Sequence, residues 1–304
     1  MISISEKSVL SSDEIHQLNG KVYLPECEPI GLLHIVHGMT EHIGRYDKFM
    51  REMAQRGYIT FGYDHLGHGK TASNDQELGF IAHKDGWIRL CEDVKVFSDA
   101  IREEFCKKLP YYVLGHSMGS FIVRLSAVEF ITPDKLVVMG TGGPNPVASI
   151  GILIAKLIKT IYGEKHISNF LQSMAFGSYN NKFNAENDSK AWLTKDVEIR
   201  KRYKQEKLCM FRFTVSAMQD LITLNHNANS KKWFKKAAKV CPILLVSGSL
   251  DPVGDNGKSV QAVYDSLKKE NADVTLRLYE NCRHEILNDD CYEAVLTDIL
   301  KFLN

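Results

Sequence analysis

Short apolar runs alternate with longer segments of helical periodicity along most of the chain. Runs of four to eight apolar or β-branched residues predict buried strands, whereas apolar residues spaced three and four apart predict amphipathic helices. The predicted strands are 19–24, 31–37, 58–63, 111–115, 135–140, 241–247 and 273–279. The predicted helices are 45–56, 85–105, 118–130, 256–269 and 286–303. This alternation predicts an α/β fold with a mostly parallel central sheet and helices on both faces.

A long segment with helical patterns only, residues 144–238, interrupts the alternation. It contains apolar residues at helical spacing, as in VASIGILIAKLIKTIYG, and no convincing buried strand. A structureless loop of such length is uncommon in a compact domain. We therefore predict a helical cap at 144–238, inserted into an α/β core formed by residues 1–143 and 239–304. The alternative is that these helices only add packing at a distance from the functional site.

A serine lies between two glycines where a predicted strand gives way to a predicted helix, in the sequence Gly-His-Ser-Met-Gly at 115–119. The pattern alone has low specificity because glycine is common. At such a turn, however, Ser117 would stand clear of the backbone, and Gly115 and Gly119 would leave room around it. We predict that Ser117 is a nucleophile and that the N–H of Met118 stabilises an oxyanion. The alternative is an ordinary turn serine.

A serine nucleophile needs a general base, and the base needs an acid that holds its tautomer. His284 follows the last predicted strand and can reach the edge of the sheet where Ser117 lies, so we predict that it is the base. His226 lies at the end of a predicted helix, where a surface or capping role is expected. Asp251 follows the preceding strand in the turn GSLDP and is the predicted acid, whereas Asp255 is expected to cap the helix 256–269.

The loop after the strand 31–37 begins with His37, Gly38 and Met39. Gly38 allows a sharp turn, so that the N–H of Met39 can face the same site as a second oxyanion donor. Taken alone, a His-Gly pair after a strand is often only a turn. Together with the other residues it predicts an oxyanion hole supported by His37 and Gly38.

Composition narrows the possible partners. The chain of 304 residues is 44% hydrophobic, which suffices for a sizeable core. A formal net charge of +1 gives no reason to expect a nucleic-acid partner. The seven cysteines are an odd number and include no C-x-x-C pair, which favours reduced thiols over disulfides or a zinc site.

Nothing in the sequence indicates export or membrane insertion. The N-terminal stretch MISISEKSVLSSD lacks the basic start and apolar core of a signal peptide. No apolar run reaches the roughly 18 to 20 residues that a membrane span needs. We therefore predict a cytoplasmic protein.

Six motifs resemble, in order and spacing, those of the monoacylglycerol lipase and lysophospholipase group of α/β-hydrolases, including its bacterial members. They are HGMTEHIGRY (37–46), YDHLGHGKT (63–71), GHSMGS (115–120), WLTKD (192–196), SGSLDPVG (247–254) and RHEILND (283–289). The resemblance implies an α/β-hydrolase fold, a Ser117–Asp251–His284 triad, oxyanion donation by Met39 and Met118, and a mobile cap. Family members often have a small residue where Met39 stands. The resemblance also implies a structural role for the Asp-His-x-Gly-His-Gly loop at 64–69.

These features predict hydrolysis of carboxylic esters through an acyl-enzyme, without a metal or organic cofactor. The expected substrate is a monoacyl lipid, as the resemblance to monoacylglycerol lipases and lysophospholipases implies. The helical pattern around 150–161 carries an apolar face with lysines nearby, which suits transient contact with a membrane surface or an acyl chain; the alternative is a core face. That face comprises Ile150, Leu153, Ile154, Leu157, Ile158 and Ile161, with Lys156, Lys159 and Lys165 beside it. Open alternatives are a carboxylesterase for small soluble esters, hydrolysis of amide or C–C bonds by the same triad, and a non-catalytic binding protein on the same fold.

Overall fold

The computed structural model describes residues 2–105 and 107–304, which form an eight-stranded sheet in the order β1-β2-β4-β3-β5-β6-β7-β8. Only the pairs β1–β2 and β2–β4 are antiparallel; all others are parallel. The strands are β1 (Ser3–Leu10), β2 (Gln17–Leu24), β3 (Gly31–Val36), β4 (Tyr58–Tyr63), β5 (Tyr111–His116), β6 (Lys135–Met139), β7 (Ile243–Gly248) and β8 (Val274–Tyr279). The predicted mostly parallel α/β sheet is therefore confirmed.

The first strand is the element that the hydrophobic pattern missed. β1 has the sequence SISEKSVL, and most of its side chains are exposed. It forms the edge of the sheet and pairs with β2 from the Ser3–Leu24 pair to the Leu10–Gln17 pair. Its hydrogen bonds to β2, rather than a buried apolar face, hold it in place.

Helices cover both faces of the sheet. The core helices are α1 (Asp47–Gln55), α2 (Gly86–Glu104), α3 (Met118–Glu129), α9 (Lys258–Lys269) and α10 (Tyr292–Leu303). Buried side chains of α2, α3 and α9 share one apolar cluster, whereas those of α1 and α10 share another with the opposite face. Side chains of consecutive residues in β5 point to opposite faces of the sheet, so Val113 belongs to the first cluster and Leu114 to the second.

The last two helices, α9 and α10, begin later than the pattern predicted. The segment predicted as one helix at 286–303 is a 3₁₀ turn at Ile286–Asn288 followed by α10. The prediction that Asp255 caps a helix starting near 256 is wrong. Asp255, Asn256 and Gly257 all have positive φ values, of 47°, 55° and 87°, so the chain becomes helical only at α9. Gly257 is its N-cap residue.

Five α-helices of the described residues lie between β6 and β7, together with two short 3₁₀ helices. The α-helices are α4 (Ala148–Tyr162), α5 (Asn169–Phe176), α6 (Val197–Gln205), α7 (Val215–Ala228) and α8 (Lys231–Ala237). Side chains of α7 and α8 join the apolar cluster that includes α3. Within the described residues, no helix combines the length and the apolar character that a membrane crossing requires.

Candidate active site

Ser117 occupies a single-residue turn between β5 and α3. Its backbone has φ 54° and ψ −120°, a conformation that L residues rarely adopt and that costs about 1–3 kcal/mol. A Cβ at Gly119 would lie 2.1 Å from the carbonyl oxygen of Val36, and one at Gly115 would lie 2.4 Å from that of Gly119. Both glycines are therefore required for the close packing of β5, α3 and the neighbouring strand. This packing holds Ser117 in the turn, where it lines a cavity.

The predicted base and acid are joined by a hydrogen bond. Nδ1 of His284 lies 2.9 Å from Oδ2 of Asp251. Asp251 is fully buried, and its other carboxylate oxygen accepts the N–H of Val253 at 2.9 Å. His284 lines the same cavity as Ser117, although the described residues contain no hydrogen bond between the two side chains. Such contacts are often longer without substrate.

The residues weighed as alternatives to the predicted base and acid lie away from the cavity. His226 is exposed in the last turn of α7, and it does not line the cavity. Asp255 is exposed beyond the end of β7. The structure thus brings together Ser117, Asp251 and His284 and leaves the two competing side chains at the surface.

Both predicted oxyanion donors line the cavity as well. Neither the N–H of Met39 nor that of Met118, the first residue of α3, has an acceptor among the described residues, so both can donate to a ligand. The N–H of Gly38, by contrast, donates to Oε1 of Glu41 at 2.5 Å. A Cβ at Gly38 would lie 3.0 Å from Cβ of Ser117, so this loop passes directly beside the serine.

A buried ionic cluster supports these loops. Arg45 donates two hydrogen bonds to Glu285, at 2.7 and 2.8 Å, and a third to Glu41 at 2.9 Å. Burial alone would raise the pKa of Glu285, but the charge and the hydrogen bonds of Arg45 together outweigh burial and hold the pKa below its ordinary value. Burial alone would also raise the pKa of Glu41. The contacts of Glu41 with His116 and Arg45 outweigh burial and hold its pKa well below the ordinary range.

His116 connects this cluster to the residues on either side of it. Its Nδ1 lies 2.9 Å from the hydroxyl of Tyr46 and 3.3 Å from Glu41, and its Nε2 lies 3.3 Å from the carbonyl oxygen of His284. Burial lowers the pKa of His116, but the contact with Glu41 outweighs burial and raises it. One network therefore joins the residue before Ser117, the Gly38 loop and the His284 loop.

The histidines of the 64–69 loop lie under the Gly38 loop and outside the cavity lining. His65 donates its backbone N–H to Nε2 of His37 at 3.1 Å, and Nε2 of His68 accepts the N–H of Thr40 at 3.3 Å. Burial lowers the pKa of His65 to about 3 and that of His68 to about 4. Both rings are therefore neutral supports of the loop.

One group in the described residues has donors that metals use, namely His42, Glu206 and Cys209, with ligand atoms within 4.8 Å of one another. Nε2 of His42 lies 2.6 Å from Oε1 of Glu206, and Cys209 donates weakly to the second carboxylate oxygen at 3.6 Å. None of the three lines the cavity. Their contacts join the 37–46 loop to the end of α6.

Residues 27–291 match the model of the Hydrolase_4 family, described as serine aminopeptidase, S33. The chain belongs to this family. It is 25% identical to the monoacylglycerol lipase of Mycolicibacterium smegmatis over 289 residues, 93% of this chain and 91% of the relative. It is also 25% identical to the mouse (Mus musculus) monoglyceride lipase over 268 residues, 87% of this chain and 78% of the relative. The protein is thus an α/β-hydrolase similar to monoacylglycerol lipases.

Solved structures of this fold agree. A thermostable carboxyl esterase from Bacillus coagulans in complex with glycerol superposes with a TM-score of 0.93 at 26% identity, covering 99% of this chain and 98% of that one. A soluble variant of the monoglyceride lipase from Saccharomyces cerevisiae has a TM-score of 0.74 at 18% identity, over 95% and 92% of the two chains. The second likeness shows the fold alone.

The cavity of this hydrolase encloses about 440 Å³ and has linings of two kinds. Apolar side chains include Met118, Phe121, Met174, Phe176, Phe211, Leu221, Ile222 and Val253. Polar and charged side chains include Thr40, Glu41, Arg45, His116, Lys190, Tyr203, His284 and Glu285. An ester with one apolar and one polar part fits such a lining.

Most of the charged lining was missed by sequence reasoning. The available signals were the spacing of Glu41 and Arg45 within HGMTEHIGRY, which places two opposite charges four residues apart, and the position of Glu285 directly after His284 within RHEILND. Lys190 and Tyr203 carry no local signal. Tyr203 donates its hydroxyl to the carbonyl oxygen of Thr40 at 2.9 Å, a contact across 163 positions in the chain.

Proposed function

We propose that this hydrolase is a serine esterase that cleaves monoacyl lipid esters through an acyl-enzyme. The observation that carries the proposal is the position of Ser117, held on a strained turn in a cavity that it shares with His284, which is in turn hydrogen-bonded to Asp251. Met39 and Met118 line the same cavity, and their N–H groups have no acceptor among the described residues. Nucleophile, base, acid and oxyanion donors are the parts that acyl transfer needs.

In the proposed mechanism, His284 takes the proton of Ser117 as the serine oxygen attacks the ester carbon. Asp251 accepts the Nδ1–H of His284 and stabilises the imidazolium. The amides of Met39 and Met118 donate to the oxyanion of the tetrahedral intermediate. His284 then protonates the leaving alcohol, and a water molecule activated by the same histidine releases the acid from Ser117.

The acyl part is proposed to lie against the apolar lining and the alcohol part against the charged lining. Monoacylglycerol lipases among the relatives support a lipid ester as substrate. The likeness to a Bacillus coagulans carboxyl esterase favours a second candidate, a carboxylesterase for small soluble esters. Both candidates use the same mechanism and differ in the length of the acyl chain.

The acyl-chain preference separates the two candidates. We expect kcat/KM on 4-nitrophenyl esters with two to sixteen acyl carbons to reach its maximum at eight carbons or more, because each buried methylene contributes about 0.8 kcal/mol. Initial rates at fixed pH measure this. A maximum at two to four carbons would instead assign the chain to the small-ester carboxylesterases.

We also propose that residues 144–238 act as a cap whose outer surface contacts lipid. Large apolar side chains are exposed on α4, α5 and the residues beside them, and Lys156 and Lys165 are exposed nearby. They are Val147, Ile150, Leu153, Leu157, Ile161, Tyr162, Ile167, Phe170 and Met174. Ile154 and Ile158, on the same helix, are partly buried and pack against the core cluster. Apolar groups flanked by lysines suit an anionic lipid surface.

A cytoplasmic location with transient membrane contact remains a prediction.

Replacing both Leu153 and Leu157 by serine is expected to weaken binding to phosphatidylglycerol vesicles about tenfold or more, because two exposed leucines would no longer enter the lipid. Cosedimentation measures this binding. Ile15→Ser is the matched control, since Ile15 is 77% exposed on the turn between β1 and β2. Equal binding by the double variant and the control would contradict lipid contact through α4.

A further inference from the structure

One ammonium group in the cavity wall has no anionic partner. Lys190 lines the cavity, yet among the described residues its Nζ has neither a hydrogen-bond acceptor nor a carboxylate within ion-pair distance. The Nζ atom instead lies over the ring of Tyr203, 5.0 Å from the ring centroid. A cation–π contact of this kind stabilises an ammonium but does not neutralise it.

The carboxylates that line the cavity are already paired. They are Glu41 and Glu285, and both accept hydrogen bonds from Arg45. Glu285 also accepts one from Asn288 at 3.0 Å. Burial lowers the pKa of Lys190, which indicates that its ammonium has lost water without gaining full compensation. The cavity therefore offers the ammonium of Lys190 to whatever occupies it. Arg212, which also lines the cavity, is exposed and donates to the neutral amide of Asn169.

The position of Lys190 indicates which part of a substrate would meet this charge. The N–H groups of His284 and Glu285 donate to the carbonyl oxygens of Trp192 and Leu193, at 3.4 and 2.7 Å. The Trp192 ring also lies 5.1 Å from the His284 ring, centroid to centroid. Lys190 precedes this segment by two residues, so it lies on the histidine side of the cavity. Because the histidine protonates the leaving alcohol, that side holds the alcohol part of the ester.

We propose that Lys190 selects monoacyl esters whose alcohol part carries a negatively charged phosphate, in preference to neutral monoacylglycerols. The inference rests on the proposed esterase function and names its substrate class. A phosphate oxygen would accept a charge-assisted hydrogen bond from the ammonium, an interaction stronger than one to a neutral hydroxyl. Lys190 is thus assigned as a specificity residue that binds the substrate and takes no part in the chemical step.

Short, soluble substrates test the assignment without interference from the charge of a lipid surface. Kinetics are measured with 1-octanoylglycerol and 1-octanoylglycerol 3-phosphate, both below their micellar concentrations. We expect wild-type kcat/KM to be about tenfold higher or more for the phosphate ester. Lys190→Met is expected to raise KM for the phosphate ester about tenfold more than KM for the neutral ester, so that the ratio of the two kcat/KM values falls about tenfold.

Two further variants separate charge recognition from structure. Lys190→Arg keeps the charge and is expected to retain the preference. Lys182→Met is the matched control, because Lys182 is exposed in the same segment and does not line the cavity; it is expected to behave as wild type. Because the interaction is ionic, the preference is also expected to decrease when NaCl is raised from 0.05 to 0.5 M.

Other results would overturn the inference. Equal kcat/KM of wild type on both esters, or an equal loss of kcat/KM on both in Lys190→Met, would show that the lysine does not recognise the phosphate. If Lys190→Met weakened inhibition by octanoate and left the head-group preference unchanged, the lysine would bind the released acid instead. Hydrolysis of 4-nitrophenyl octanoate tests the esterase proposal separately from the head-group inference. Its failure in wild type would refute the esterase proposal and this inference with it, whereas its success without head-group preference would refute this inference alone.

Discussion

Ser117→Ala is expected to lower kcat on 4-nitrophenyl octanoate by about 10⁵ to 10⁶, leaving only what the oxyanion donors and binding provide. The variant removes the one hydroxyl proposed to form the acyl-enzyme. Ser120→Ala is the matched control. Ser120 is buried in the first turn of α3, and its hydroxyl donates to the carbonyl oxygen of Ser117. The control is expected to keep activity within a few-fold and to lose about 1 kcal/mol of stability.

The loss in Ser117→Ala is not expected to come from unfolding, because the Ser117 side chain makes no capping hydrogen bond to α3. Thermal melts of the variant and wild type are expected to agree within a few degrees. A fluorophosphonate probe should add its mass to the wild-type peptide containing Ser117 and not to the variant. Wild-type turnover in Ser117→Ala, or labelling of another serine, would refute the proposed nucleophile.

The parallel strands could be predicted from sequence because burial on both faces produces continuous apolar runs. All residues of β3, β5 and β7 are buried, and each of these strands was predicted within two residues. β1 could not be predicted in this way, since an exposed edge strand needs no apolar pattern. The start of α9 was misplaced because Asp255 and Asn256 adopt left-handed conformations that their residue types permit but do not require.

The predicted site residues share one topological feature, since Ser117, Asp251 and His284 each follow a strand at the same edge of the sheet. That feature follows from the order of elements, so the structure could be expected to bring them near one another. The order of elements does not predict the charged residues that line the cavity. Arg45 and Glu285 are 240 positions apart, and Lys190 lies in a segment without a strand, so their proximity depends on the tertiary structure.

Arg45→Met is expected to lower the free energy of unfolding by about 3–5 kcal/mol at pH 7.5, because it leaves two buried carboxylates without their cation. The side chains of Glu41 and Glu285 are both 5% exposed, and that of Arg45 is 10% exposed. His116 and Tyr46 still contact Glu41 in the variant. The carboxylate of Glu285 would keep only the hydrogen bond from Asn288, so most of the loss of stability is expected to come from Glu285.

The pH dependence of this loss follows from the pKa values of the carboxyl groups. In wild type their pKa values lie below the unfolded value of about 4.3, so their contribution is present above that pH and is lost as the pH falls through the folded-state values. Without Arg45, burial would dominate and raise the pKa of Glu285 above the unfolded value. The folded variant would then bind protons before the unfolded chain does. Its stability deficit should therefore decrease as the pH falls from 7.5 towards 5.

Urea unfolding at pH 7.5 and pH 5, followed by tryptophan fluorescence, measures both effects. Arg51→Met is the matched control: Arg51 donates to Asp47 at 2.7 Å, but its side chain is 46% exposed. An exposed pair of this kind contributes at most about 1 kcal/mol, so the control should lose little at either pH. Equal losses in the two variants, or a loss in Arg45→Met that did not change with pH, would contradict the role assigned to the buried cluster. Both arginines pair with a carboxylate four residues away, but only Arg45 is buried and also pairs with Glu285, so the contrast compares a buried cluster of two carboxylates with one exposed ion pair.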